Sequence, residues 1–307
     1  MKIFVIGATG YIGSHVATRL VAGGHDVTGF ARDTSGAAKV SALGATPFVG
    51  DVEDLPVLIA QAQAADITIF APQLSPEGEA STVAALLEGL KDTGKGFIFT
   101  SGTGVVSIRT GGEWDERSFA EDDAFTPLKF IAGRVDTEGL VRAAAERGVR
   151  GMVVRPPAIW GNGSHGITDL TVKSVRVTGS ACYIGRGLGL YSHVHVEDLA
   201  DLYARVAENG QAGALYHAVA GEVNNRCIAE LVGKRLGVPT RSVGMDEAVS
   251  LWGKFFTLVV LSISSRTRSP RSRDELGWAP TKVELEEEIL TGDILSLSRF
   301  PEAHGRV

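Results

Sequence analysis

Glycines follow the first apolar segment of the chain at a spacing that constrains what it can fold into. Residues 3–6 are all apolar, which is typical of a buried strand covered by helices on both sides. The segment 7–13 follows at once, with glycine at its first, fourth and seventh positions. From residue 12 to residue 20 an apolar side chain recurs at every fourth position, which predicts a helix. Strand, glycine turn and helix in this order predict a loop that binds the phosphates of a dinucleotide.

Each glycine of this loop has a separate physical role. The first permits a tight turn, the second lets the backbone approach a pyrophosphate, and the third lets the helix pack closely on the strand. The N-terminus of the helix then presents N–H donors and a positive dipole end to the phosphates. The alternative is a glycine-rich turn without a ligand. We assign dinucleotide binding to Gly7, Thr9, Gly10, Tyr11, Ile12 and Gly13.

Short apolar runs alternate with amphipathic stretches as far as residue 157, which predicts an α/β fold with a doubly wound parallel sheet of the Rossmann type. We expect residues 1–157 and about 188–219 to form this dinucleotide-binding domain. The alternation weakens between residues 158 and 187. We expect about 158–187 and 220–307 to form a smaller, mostly C-terminal, substrate-binding subdomain. A helix is predicted to start at Thr281, because Thr281 and Glu284 have the spacing of a capping box.

Composition excludes several classes of function. The net charge of −6 comes without a lysine-arginine run, so no nucleic-acid partner is expected. The two cysteines have no metal-ligand spacing, which indicates no metal site and a reducing compartment, the cytoplasm. No apolar run reaches the roughly 20 residues that span a bilayer, so no membrane partner is expected. The expected partner is a small-molecule substrate.

Residues 28–32 select the cofactor. The second predicted strand ends without the acidic residue that commonly binds the ribose hydroxyls of NAD, and Arg32 follows at once. The planar guanidinium of an arginine can pair with a 2′-phosphate. NADP(H) is therefore preferred and NAD(H) is possible. The alternative is a solvated Arg32, with Asp33 binding the ribose.

Six further motifs follow the glycine loop in a recognisable order. They are Gly-Asp-Val at 50–52, Phe-Ala-Pro at 70–72, Phe-Thr-Ser-Gly-Thr at 99–103, Val-Arg-Pro-Pro at 154–157, His-Val-His-Val-Glu-Asp-Leu-Ala at 193–200 and Leu-Gly-Trp-Ala-Pro at 276–280. With this series the chain resembles the extended or atypical short-chain dehydrogenase/reductases. This group includes NAD-dependent epimerases and dehydratases and dihydroflavonol reductases. The resemblance covers nearly the whole chain.

The resemblance implies further contacts to the cofactor. It implies that Asp51 and Val52 lie by the adenine and that Ala71 and Pro72 line the cofactor site after the fourth strand. Many members of the family form dimers through two long helices on one face. A homodimer is therefore possible.

The catalytic residues of the family are replaced in this chain. The family uses a tyrosine as the acid, a lysine four residues later and a serine or threonine that polarises the carbonyl. Glu138 sets the register on this helix, which puts Arg134 at the lysine position and Phe130 at the tyrosine position. The serine position falls beside Ser101 and Thr103. Because residues four apart lie on one helical face, Phe130 and Arg134 should both point to the cofactor if Glu138 sets the register.

Two interpretations follow from this replacement. In the first, the chain is an oxidoreductase that transfers a hydride to a small carbonyl or imine and takes its proton from another donor. Loss of one general acid slows such chemistry by about 10²–10⁴-fold without forbidding it. In the second, the chain binds NADP(H) as a sensor without chemistry, or it is an epimerase or isomerase that uses a bound cofactor. Fold alone does not decide between them.

Two more residues have open roles. His165 lies in the loop after the sixth strand, where its near-neutral pKa would suit it to replace the missing acid. The alternative is a solvent-exposed loop histidine. Arg266 lies where nucleotide-sugar members of the family place a phosphate-binding arginine, and a surface charge is the alternative.

Overall fold

The computed structural model describes residues 1–164 and 166–294. The strands are β1 Lys2–Ile6, β2 Asp26–Ala31, β3 Thr46–Val49, β4 Ile67–Phe70, β5 Gly96–Thr100, β6 Ile108–Arg109, β7 Arg150–Arg155, β8 Ala158–Trp160, β9 Ala181–Ile184, β10 Leu190–His195, β11 Leu215–His217, β12 Gly221–Asn224, β13 Thr240–Val243 and β14 Ile263–Ser264.

The helices are α1 Tyr11–Ala22, α2 Thr34–Ala42, α3 Leu55–Ala64, α4 Pro76–Gly89, α5 Ala132–Ala143, α6 Ile167–Thr178, α7 Val196–Asn209, α8 Asn225–Leu236, α9 Met245–Phe256, α10 Pro270–Leu276 and α11 Leu285–Thr291. Short 3₁₀ turns occupy Thr103–Val106 and Ala144–Arg147, and a π-helical turn occupies Thr257–Leu261. Within the described ranges, no helix is long and apolar enough to cross a membrane.

A seven-stranded sheet forms the centre of the molecule. Its strand order is β11-β7-β5-β4-β1-β2-β3, and every neighbouring pair is parallel. The order reverses direction between β1 and β4, which is the switch point where doubly wound sheets bind ligands. The predicted α/β fold with a doubly wound parallel sheet is therefore confirmed.

Each face of the sheet is covered by its own apolar core. On β1, Ile3 and Val5 join a cluster with side chains of α1 and α7, while Phe4 and Ile6 join a cluster with side chains of α3, α4 and α5. All four side chains are at most 1% exposed. Side chains alternate across a strand, so a strand buried on both faces must be apolar throughout, as residues 3–6 are.

A third cluster lies away from the central sheet. It includes Trp160, Ile184, Ile228 and Trp252, with α6, α8 and α9 around it. A three-stranded sheet, β12-β10-β8, and the pair β13-β9 complete this part. The weak periodicity of residues 158–187 therefore conceals regular elements, β8, α6 and β9.

The expected helix start at Thr281 is wrong. Helix α11 begins at Leu285, and Glu284 is its N-cap residue. The backbone N–H of Thr281 instead donates to the Asp198 carboxylate at 3.1 Å, and its hydroxyl donates to the same group. The Thr281 hydroxyl, which the capping-box pattern assigned to a helix N-terminus, is therefore bound to Asp198 of α7 instead.

A buried ion pair anchors α5 to the central sheet. Arg155, at the end of β7, donates to the Glu138 carboxylate through Nε at 2.9 Å and Nη2 at 2.5 Å. The two side chains are 4% and 3% exposed. Since α5 carries Arg134 four residues earlier, this pair also fixes the position of Arg134.

Replacing Glu138 with glutamine should lower the free energy of unfolding by about 3 kcal/mol, because Arg155 would stay charged and buried without its partner. The matched control is Glu88→Gln, since Glu88 pairs with Arg147 at the surface and exposed pairs contribute at most about 1 kcal/mol. Urea unfolding followed by circular dichroism measures both. Equal losses in the two variants would contradict the anchoring role.

Candidate functional site

A large cleft opens at the switch point between β1 and β4. Its volume is about 770 Å³. Most of its lining comes from segments that follow the carboxyl ends of β1, β2, β4 and β5. The lining residues are Ile6, Gly7, Thr9, Gly10, Tyr11, Ile12, Phe30, Arg32, Val52, Ala71, Pro72, Gln73, Leu74, Thr100, Ser101, Arg134 and Ile159.

Gly7 and Gly13 allow close backbone contacts at the base of this cleft. Gly7 has a φ of +96°, and a Cβ on it would lie 2.5 Å from the carbonyl oxygen of Ala71. A Cβ on Gly13 would lie 2.1 Å from the carbonyl oxygen of Gly7. Larger residues at either position would separate β1 from its neighbours, which is the packing role that the spacing predicts.

Helix α1 presents an uncapped N-terminus to the cleft. Its N-cap residue Gly10 provides no side-chain acceptor, and the first turn holds no acidic residue. The first backbone N–H groups of a helix need partners from outside the helix. Next to Gly10, the Tyr11 hydroxyl donates to the carbonyl oxygen of Gly161 at 2.5 Å. Burial, with a further contribution from Asp169, raises the pKa of Tyr11, so its hydroxyl stays protonated.

Arg32 lines the cleft and is solvent-exposed. The Asp33 carboxylate accepts the backbone N–H of Gly36 at 2.7 Å and caps α2. Capping engages one oxygen of the acid that would otherwise bind the ribose. Asp33 itself does not line the cleft.

Ser101 carries an unsatisfied polar group in the cleft wall. The residue is 7% exposed, and its hydroxyl has no hydrogen-bond partner among the described residues. A buried hydroxyl without a partner costs about 1–3 kcal/mol, which a bound polar molecule could recover. Thr103, in contrast, is fully buried outside the lining, where its hydroxyl and carbonyl oxygens accept from the Ser265 hydroxyl at 3.3 and 2.8 Å.

The expectation that Phe130 and Arg134 share a helical face is wrong. Helix α5 begins at Ala132, so Phe130 precedes the helix and the four-residue spacing does not align the two side chains. Phe130 is 46% exposed, does not line the cleft, and lies 6.0 Å from the Arg109 guanidinium. Arg134 does line the cleft.

Glu79 is a residue that the sequence did not single out. It lies on α4 and is 3% exposed, and its carboxylate accepts from Arg134 Nη2 at 2.6 Å. Burial raises the pKa of Glu79, and the Arg134 guanidinium opposes that effect. The sequence could have indicated Glu79, because an acidic side chain on the apolar face of a predicted helix needs a buried partner.

The remaining assigned residues divide between the cleft and its surroundings. Val52, Ala71 and Pro72 line the cleft. Asp51 does not, and its carboxylate accepts the backbone N–H of Glu53 at 3.0 Å. His165 lies outside the described residues.

Arg266 is occupied by internal partners. Its guanidinium donates to both oxygens of the Glu222 carboxylate, at 3.0 and 2.8 Å, and to the carbonyl oxygen of Glu116 at 3.1 Å. The Trp114 ring lies 5.1 Å away. The guanidinium is therefore neutralised and covered within the chain itself.

The cleft fits a dinucleotide. The glycine turn brings backbone close to backbone at its base, α1 offers uncapped N–H donors, and Ser101 offers a hydroxyl without a partner. Phosphates and polar ring substituents are the groups that such donors bind.

Residues 3–220 match the model of the NAD dependent epimerase/dehydratase family. The chain belongs to this family, as its motifs predict. It is 35% identical to an uncharacterised protein of Schizosaccharomyces pombe, over 92% of this chain and 95% of that protein.

Two further comparisons concern proteins of named activity. The chain is 25% identical to a 4-hydroxy-2-methyl-3-oxo-4-farnesyl-3,4-dihydroquinoline-1-oxide ketoreductase of Stigmatella aurantiaca, over 72% of this chain and 69% of the relative. Its fold is similar to that of a dTDP-glucose 4,6-dehydratase from Streptomyces venezuelae solved with NAD bound. For that structure the TM-score is 0.76 at 21% identity, with 97% of this chain and 98% of the other covered.

Replacing Gly10 with valine should abolish nucleotide binding in a folded protein, because a branched side chain would fill space beside the uncapped helix N-terminus. The control is Gly244→Val. Gly244 is the N-cap residue of α9 with nearly the same backbone angles, and it lies outside the cleft. Calorimetric titration with NADPH measures binding. Unchanged affinity in the Gly10 variant would show that the nucleotide binds elsewhere.

Proposed function

We propose that this protein is an NADP(H)-preferring oxidoreductase that transfers a hydride to a small carbonyl- or imine-type substrate without the usual tyrosine-lysine pair. The observation that carries the proposal is the buried, unpartnered hydroxyl of Ser101 in the wall of the cleft that holds the glycine loop. A ketoreductase among the relatives supports a reductive reaction on a carbonyl.

The residues of the chain divide the chemistry between them. A bound NADPH supplies the hydride. The Ser101 hydroxyl would donate a hydrogen bond to the substrate oxygen or nitrogen and stabilise the charge that develops there. Arg134 would hold the nucleotide and supply positive charge, but a guanidinium is a poor proton donor. We therefore propose that the proton comes from water or from a substrate-side residue.

The state of Arg266 disfavours a nucleotide-sugar substrate. A diphosphate would have to displace Glu222 from a bidentate pair and move the Trp114 ring. Replacing an intramolecular carboxylate that is already in place costs free energy that a diphosphate must recover. A small substrate without phosphate makes no such demand. We propose that residues of about 158–187 and 220–307 select it.

One observation favours the sensor as second candidate. Among the described residues, the cleft lining includes no histidine, lysine, cysteine or carboxylate, and the Tyr11 hydroxyl is occupied by Gly161. An NADP(H) sensor would need no acid. NADPH oxidation in the presence of a panel of aldehydes, ketones and imines separates the two, since a sensor binds NADPH and leaves it unchanged.

We also propose that the protein is cytoplasmic and forms a homodimer. Two free cysteines, Cys182 and Cys227, suit the cytoplasm. Helices α4 and α5 pack side by side, and Leu140 on α5 is 50% exposed, which suits a homodimer through this face.

Ser101→Ala should lower kcat/KM for the best substrate of that panel by about 10²-fold, because one donor to a developing charge is lost. The dissociation constant for NADPH should stay within about twofold. Ser81→Ala, on the exposed surface of α4, is the control. Steady-state kinetics and calorimetry measure the two effects. An unchanged kcat/KM would remove Ser101 from the reaction.

Arg32→Ala should erase the preference for NADPH over NADH. Loss of two charged hydrogen bonds to a 2′-phosphate costs about 2–3 kcal/mol, whereas binding of NADH, which lacks this group, should hardly change. Lys39→Ala, on α2, controls for a general loss of positive charge. Competitive titration with both nucleotides gives the ratio. Equal affinities in the unmutated protein would refute the NADP(H) preference.

A further inference from the structure

The Arg134 guanidinium is bound by the carboxylate of Glu79, which lies outside the cleft lining. Arg134 is 35% exposed and lines the cleft, whereas the Glu79 side chain is 4% exposed and does not. The 2.6 Å contact between Arg134 Nη2 and Glu79 Oε2 links α5 to α4. One edge of the guanidinium is therefore fixed in the protein while the side chain remains accessible from the cleft.

The guanidinium retains unused donors. Within the described part of the chain, Glu79 is the side chain that receives a hydrogen bond from Arg134, and this bond uses one of five N–H groups. Nε and Nη1 remain for a bound molecule. A guanidinium fixed at one edge loses less rotamer freedom on binding than a free one, which favours affinity.

We propose that Glu79 is the positioning residue of the nucleotide site, and that it fixes the Arg134 guanidinium in the orientation that meets the ribose and phosphates of the nucleotide. This inference rests on the nucleotide binding of the proposed function, but not on its hydride transfer. In this chain an arginine with a buried carboxylate partner takes the place of a lysine.

The charged groups around Glu79 make the Glu79–Arg134 ion pair depend on pH. Helix α5 contributes Arg134 and Glu138, whereas α3, which packs on the other side of α4, has no ionisable side chain. Burial and Glu138 raise the pKa of Glu79, and Arg134 lowers it. Protonation of Glu79 at acid pH would release Arg134, so nucleotide affinity should fall as the pH falls through the pKa of Glu79.

The main test is a double-mutant cycle on nucleotide binding. Glu79→Gln should raise the dissociation constant for NADPH about fivefold and Arg134→Met about tenfold or more. Because Glu79 acts through Arg134, adding Glu79→Gln to Arg134→Met should change the constant by less than about twofold. Glu88→Gln, which removes the exposed partner of Arg147 on the same helix, should have no effect.

A pH series provides the second readout. NAD⁺ serves as the probe because it lacks a 2′-phosphate and is stable in acid. As the pH is lowered from neutral through the pKa of Glu79, the affinity of the unmutated protein and of Glu88→Gln should fall, while that of Glu79→Gln should stay flat and weak. Thermal melts at each pH confirm that all variants are folded.

The outcomes separate the inference from the proposed function. If the unmutated protein binds neither nucleotide, the proposed function fails. If it binds them but Glu79→Gln is indistinguishable from Glu88→Gln, or weakens binding equally with and without Arg134, the positioning role is overturned. If binding follows the cycle but no substrate oxidises NADPH, hydride transfer fails and the positioning role stands.

Discussion

The contact between Gly7 and the carbonyl group of Ala71 is the constraint on which the rest of the structure depends. It joins β1 to the segment after β4 at the one place where the sheet order reverses, with 2.5 Å between a hypothetical Gly7 Cβ and the Ala71 oxygen. A side chain there would push the strands apart. The cleft lies above this contact, and the N-terminus of α1 lines it. In the proposed function, the phosphates of the nucleotide would bind at this N-terminus.

The fold features that were predicted correctly from the sequence rest mostly on patterns among neighbouring residues. The glycine loop and the parallel strands depend on short-range periodicity and on backbone conformation, both of which are written in neighbouring residues. Phe130 is a position where prediction from neighbouring residues fails. The four-residue rule holds inside a helix, and α5 starts two residues after Phe130. Helix starts are set by tertiary contacts as much as by caps, as Thr281 and its partner Asp198 also show.

Long-range partners could not be predicted in the same way. Glu79 and Arg134 are separated by 55 positions, and Glu222 and Arg266 by 44. Charge alone gave no reason to pair these residues, because the chain has 30 basic and 36 acidic side chains. Burial selects the partner of Glu79, whose side chain is 4% exposed. An acidic residue on the inner face of a helix is stable only where the fold delivers a cation. Such pairs become visible once the layers are assembled.

The same physics connects the ion pairs to the chemistry. A lysine in the position of Arg134 could lose its proton when buried, whereas a guanidinium stays charged. A permanent positive charge can bind and orient a nucleotide. Because it does not lose its proton, it cannot adjust the pKa of a neighbouring acid through its own titration. Phe130 lies outside the cleft and has no proton to give, and the Tyr11 hydroxyl in the cleft lining is bonded to Gly161. An arginine held by a buried carboxylate is consistent with the proposed site, in which the usual tyrosine-lysine pair is missing. Under the proposed function, this site would hold the nucleotide without proton transfer through this helix.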